Sequence, residues 1–144
     1  MRPTYESAGD RMNEERVVAA LSPMWNLSFF KTHHKASFDY AMLRHDEIYG
    51  LAEIKCRTTP SNAYPTYMIS TNKLHDCTVL ANFIDVPFIL IVSFSDQIMF
   101  WDGSGYTSHG IGGRRDRNDN RDMEIVTHIP IENFQPAIQK GPVQ

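Results

Sequence analysis

Only two cysteines, Cys56 and Cys77, occur in the 144 residues, and no Cys-x-x-Cys pair is among them. Neither a disulfide framework nor a thiolate zinc site is therefore indicated, and free thiols suit a reducing compartment. Long apolar runs are also missing. The longest, Val86 to Phe94, is broken by Pro87 and Ser93 and is far too short to span a bilayer. The first ten residues are polar and lack the apolar core of a secretory signal. These absences lead to the expectation of a soluble, intracellular (cytoplasmic) protein with no membrane partner. There is no excess of basic charge: 14 basic against 17 acidic side chains give a net charge of −3. The whole chain therefore does not advertise nucleic-acid binding, although from Lys31 to Lys73 the balance turns positive. His33-His34, His75 and His109 match no zinc-ligand spacing, so a zinc reading is set aside.

The size and the 42% apolar, 22% charged composition are those of a globular chain with one sizeable core. A single domain over 1–138 is expected, with 139–144 as a loose tail. Val17, Val18, Leu21 and Met24 recur at helical spacing, so Asp10 to Met24 predicts an amphipathic helix ending near Pro23. Glu14 falls on the buried stripe of that helix, while Glu15 is turned about 100° away. Ala36 to Leu43 alternates as a strand that carries Asp39, and Ile48 to Cys56 returns as a second strand after the polar turn Arg44 to Glu47. Glu53 and Lys55, two apart, share one strand face.

Thr58 to Pro65 has loop composition. A second helix capped by Ser70 or Thr71 follows, with Leu74, Cys77, Ala81 and Ile84 on its apolar face and Lys73 beside that face. Val86 to Phe94 reads as a central strand buried on both sides, and Ile98 to Trp101 as its hairpin partner. Gly103 to Asp122, without periodicity, is expected to be a long exposed loop, and Glu124 to Ile131 an edge strand. The order of elements gives an α/β or α+β sandwich.

Asp39 and, fourteen positions later, Glu53-Ile54-Lys55 put two carboxylates and one amine at the ends of adjacent strands. Phosphodiester hydrolysis needs a hard divalent cation, oxygen ligands for it, and an activated water. Asp39, Glu53 and the backbone carbonyl of Ile54 can supply the oxygens. Lys55 can position or deprotonate the water and stabilise developing charge.

Asp39, Glu53-Ile-Lys55, an inward helix glutamate before the first strand, and a lysine in the next helix together resemble the PD-(D/E)XK nucleases. The resemblance covers roughly Glu14 to Phe94. Ser37-Phe38-Asp39 departs from it, with no proline before the aspartate. Gly50-Leu-Ala-Glu-Ile-Lys-Cys-Arg57, with Tyr67 to Lys73 after it, is similar to members from phage genomes and to junction-resolving enzymes.

The resemblance implies a restriction-endonuclease-like fold, a central mixed sheet of four to five strands flanked by helices. It also implies Mg²⁺- or Mn²⁺-dependent hydrolysis of DNA inside a host cell, and a homodimer for cutting two strands. The implied site has Asp39 and Glu53 as metal ligands with Ile54, Lys55 as catalytic lysine, Glu14 as auxiliary acid, and Lys73 on phosphate or orienting Glu53. The rival readings are a catalytically silent nucleic-acid-binding or partner-binding module on the same fold, and a structural protein whose Asp39, Glu53 and Lys55 form only a surface ion-pair network. Arg57 could contact DNA, but a charged residue that ends a strand is usually just solvated. Arg114, Arg115, Arg117 and Arg121, interleaved with Asp116, Asp119 and Asp122, read either as phosphate contacts or as a self-neutralised loop.

Overall fold

The computed structural model describes residues 8–33, 38–113 and 123–138. The tail 139–144 and the four arginines between 114 and 121 lie outside the described residues. The first helix, α1 (Ala8–Trp25), buries Val17, Leu21 and Trp25, the i, i+4, i+8 positions of one stripe. Trp25, rather than the expected Met24, completes it, and its indole N–H donates to the Ala137 carbonyl at 2.9 Å. The helix runs two residues beyond Pro23, and the chain turns at Asn26 with φ 53°, the left-handed conformation that asparagine tolerates after a helix.

Among the described residues nine strands follow: β1 (Ser28–Lys31), β2 (Tyr40–Arg44), β3 (Glu47–Cys56), β4 (Thr66–Ser70), β5 (Phe88–Ser93), β6 (Ile98–Trp101), β7 (Ser108–Gly113), β8 (Met123–Pro130) and β9 (Gln135–Pro136). Helix α2 (Thr71–Phe83) lies between β4 and β5. A six-stranded mixed sheet has the order β1-β2-β3-β5-β6-β9, with β3 and β5 parallel and the other pairs antiparallel. A second, antiparallel sheet has the order β4-β8-β7.

The mixed sheet thus exceeds the expected four to five strands, because the short edge strands β1 and β9 add to it. Two further expectations are corrected. Residues Ser108–Gly113 are a strand rather than loop, and β8 is the centre of the second sheet rather than an edge. The glycines that hide β7 from pattern reading let it lie close against β8: a Cβ on Gly112 would come within 2.9 Å of a Val126 methyl.

The β2–β3 hairpin closes through His45 and Asp46, both at positive φ (52° and 63°), as a two-residue turn matched to strand twist requires. The pairing shifts by one residue between Met42 and Leu43, leaving Tyr49 as an extra residue in β3, a β-bulge. Beside it, a Cβ on Gly50 would sit 2.6 Å from the Met42 Cε and 3.1 Å from the Pro87 carbonyl oxygen.

The mixed sheet is buried on both faces, which explains the continuous apolar run in β5. One face packs Met42, Ala52, Ile54, Ile89, Ile91 and Phe100 against α1. The other packs Leu51, Leu90, Val92 and Trp101 against Cys77 and Ala81 of α2 and against Tyr67, Ile69 and Ile129 of the second sheet. Each large aliphatic side chain withdrawn from water in this way contributes roughly 1.5–3 kcal/mol. Leu21 is fully buried on the α1 face, so Leu21→Ala should lower unfolding free energy by roughly 2–5 kcal/mol, read from the urea midpoint; an unchanged midpoint would show that α1 is not docked there.

Candidate active site

The outer face of β3 alternates with its core residues, and Glu53 and Lys55 therefore point with Leu51 toward α2 and the second sheet. Glu53 is 1% exposed, a rare position for a carboxylate. The Lys55 ammonium stands 3.2 Å from its Oε1 and the Lys73 ammonium 3.4 Å from its Oε2. Lys73 reaches it from the first turn of α2, where the Ser70 hydroxyl accepts from the Lys73 amide and so starts the helix. Although ion-paired, the Glu53 Oε2 has no hydrogen-bond partner. Two ammonium groups thus hold positive charge against a buried carboxylate that retains an unused acceptor.

Asp39 lies at a bend just before β2 rather than within a strand. Its backbone carbonyl accepts from the Thr32 amide at 2.8 Å and the Thr32 hydroxyl at 2.9 Å. Tyr40 pairs with Ala52, so extending that register one step sets Asp39 opposite Glu53, and residues opposite one another in an antiparallel pair share a face. Asp39 is half-buried and, among the described residues, in no ion pair.

The Leu51 amide donates to Pro87 and the Arg57 amide to Ser93. Odd positions of β3 therefore bond to β5, while even positions, Ile54 included, direct their carbonyls toward the β2 side. Pairing with β2 ends at Tyr40–Ala52, so the Ile54 carbonyl faces the edge where Asp39 stands. Among the described residues, no group of three or more His, Cys, Asp and Glu side chains is placed to hold a metal ion. A cation here would need the two carboxylates together with a backbone oxygen.

Electrostatics follow from this burial. Desolvation, with the nearby Asp39 charge, holds the Glu53 carboxyl above its ordinary range, and the two lysines only partly oppose them. Desolvation acts to lower Lys55, but the Glu53 and Asp39 carboxylates outweigh it, and Lys55 is raised and stays protonated. Burial pushes the Cys77 thiol up to about 12, which leaves it no thiolate for nucleophilic chemistry.

Glu14 is on the inward side of α1, with a side chain 12% exposed, whereas Glu15 is exposed. It accepts from Lys31 Nζ at 2.9 Å, and Lys31 lies over the Tyr40 ring. Glu14 therefore belongs to the α1 side of the sheet and Glu53 to the other. Both Glu14 and Asp39 act on the Tyr40 hydroxyl, which burial pushes up to about 12.

Of two further residues near Lys55, Tyr67 did not figure among the sequence candidates and Arg57 figured as a DNA contact or a solvated strand end. Tyr67, on β4, lies within electrostatic reach of Lys55 and Glu53, and Arg57 donates to its hydroxyl at 2.8 Å. The run Thr66-Tyr-Met-Ile-Ser70 has the aromatic and β-branched content of a strand, a signal masked by the helix cap that ends it.

A family model described as "Phage putative PDDEXK endonuclease" matches residues 1–137. The chain belongs to that family. Its fold is similar to that of Archaeoglobus fulgidus Hjc, a Holliday junction resolvase from an archaeal hyperthermophile. The TM-score is 0.56 at 9% identity, over 87% of this chain and 96% of that chain. No curated protein matches the chain. No helix among the described residues is long and apolar enough to cross a membrane.

A carboxyl whose folded-state pKa lies above its ordinary 4.5 contributes stability that is complete below that value and is lost as pH rises through the folded-state pKa. The lysine side chains, 41% and 23% exposed, can rehydrate if the carboxylate is removed. The metal-free Glu53→Gln protein should therefore melt above the wild type at neutral pH, with the gain fading as pH falls through the raised folded-state pKa toward about 4.5 and absent below it. Melting curves that differ equally at all pH values would contradict this account.

Proposed function

We propose that this endonuclease hydrolyses DNA phosphodiester bonds in a metal-dependent reaction centred on Asp39, Glu53 and Lys55. The observation that carries the reading is the buried Glu53 carboxylate, opposite Asp39 and faced by two ammonium groups. A carboxylate at 1% exposure costs several kcal/mol in desolvation unless cations offset it, so its retention fits a cation site. Asp39, Glu53 and the Ile54 carbonyl are hard oxygen donors of the kind Mg²⁺ or Mn²⁺ takes. When bound, such an ion supplies the Lewis-acid charge that phosphodiester hydrolysis needs.

The chain's own groups divide the remaining work. Lys55, whose ammonium stands 3.2 Å from the Glu53 Oε1, positions the attacking water and stabilises phosphate oxygens as charge develops. Lys73 orients Glu53 through its 3.4 Å ion pair. Glu14, paired with Lys31, acts as the auxiliary acid from the α1 side. Cutting both strands of a duplex calls for two such sites, supplied by a homodimer. The Hjc likeness makes a branched junction the first substrate to compare with linear and supercoiled DNA.

Incubation with these DNAs in Mg²⁺, in Mn²⁺ and in chelator tests the assignment. Cleavage should require metal, and Asp39→Asn and Lys55→Ala should each slow it by on the order of 10²-fold or more. Binding of the ion to the native state should also raise the wild-type melting temperature, and much less so that of Glu53→Gln. Retardation of DNA without cutting, indifferent to metal and to Lys55→Ala, would instead identify a silent binding module.

A further inference from the structure

Arg57, one residue past the end of β3, continues the row of Glu53 and Lys55, two positions and roughly 6.6 Å beyond Lys55. Its amide donates to the Ser93 carbonyl at 2.8 Å, which pins the end of the β3–β5 ladder. Its side chain is held as well. Nη1 donates to the Cys56 carbonyl at 3.1 Å and Nη2 to the Tyr67 hydroxyl at 2.8 Å, and the guanidinium lies 5.2 Å from the centre of the Tyr67 ring. That ring is itself fixed: Tyr67 is 6% exposed and meets Phe94 and Phe134 edge-on, at 6.4 and 6.0 Å.

A solvated arginine at a strand end would sample many rotamers; this one is locked by a buried phenol and a backbone carbonyl. It nevertheless remains exposed, and no carboxylate among the described residues pairs with it. Three of the five N–H donors of a guanidinium are left by those two bonds. A pre-ordered, uncompensated guanidinium with donors to spare, beside a phosphodiester-cleaving centre, is suited to bidentate recognition of a phosphate.

We propose that Arg57 binds a backbone phosphate of the nucleic acid next to the cleaved bond, and that Tyr67 is the positioning residue that aims it. The inference rests on the nuclease reading for the identity of the anion. It does not depend on metal, so binding in chelator tests it separately.

Fluorescence anisotropy of labelled duplex in chelator, titrated with salt, reads the contact. Arg57→Ala should weaken binding about tenfold, to a similar extent for unrelated sequences, and reduce the slope of log affinity against log salt by about one. Arg57→Lys should restore the slope but not the affinity, since an ammonium keeps the charge and loses the fork. Tyr67→Phe keeps the packed ring and should cost less, and Arg57→Ala/Tyr67→Phe should bind no worse than Arg57→Ala alone. With metal added, the Arg57→Ala loss should fall mainly in KM.

An unchanged slope and affinity for Arg57→Ala, or losses that add in the double variant, would overturn the proposal while leaving metal-dependent cutting intact. Failure of the wild type to cut in any metal would strike the nuclease reading instead and leave the slope measurement valid.

Discussion

A single buried carboxylate organises the chemistry of this molecule. Glu53 has given up its water between a central strand and the first turn of α2, and the charges of Lys55 and Lys73 are what make that position tolerable. Each lysine comes from a different element, so the carboxylate also ties α2 to β3 at the end where the site opens. The arrangement is strained electrostatically rather than sterically. Positive charge close to Glu53 is in demand, and the lysines meet it incompletely, since Oε2 is ion-paired with Lys73 but accepts no hydrogen bond.

The sheet separates two kinds of work. Its α1 face is an apolar interior, with Leu21, Met42, Ile54, Ile89 and Phe100 fully or almost fully buried. Its other face is apolar only over part of its area. Toward the Asp39 end the packing of Leu51, Leu90 and Cys77 gives way to Glu53, Lys55 and Arg57, and β4 of the second sheet supplies Tyr67 as the wall. Both faces of β3 thus carry apolar packing, and polar function occupies only the Asp39 end of one of them, a division that period-two alternation makes possible within a single strand.

Much of this was legible in the sequence, for identifiable reasons. The Glu53 and Lys55 face, the β5 run and the Ser70 cap are local patterns, and local patterns survive folding. Glu14 was placed inward by helical phase alone, and it is the less exposed of the two glutamates. What escaped reading was non-local. Strand β4 hides behind the helix cap that follows it, β7 is built from glycines whose pairing only β8 can dictate, and β8 becomes central because strands on either side claim it. Arg57 read as solvated because nothing nearby in sequence reveals that a phenol ten residues away will hold it.

The bulge at Tyr49 has an effect out of proportion to its size. Continuing the register of Arg44–Glu47 and Leu43–Ile48 without interruption would set Asp39 opposite Ala52, and Ala52 belongs to the α1 interior. The one extra residue in β3 instead brings Asp39 across from Glu53. A single inserted position in one strand thereby decides whether an aspartate is driven into an apolar layer or delivered to the open edge. In evolutionary terms, a one-residue deletion in this hairpin could leave every functional side chain in the sequence and still dismantle their meeting, so residue identity alone is an incomplete record of whether a chain of this kind retains its site.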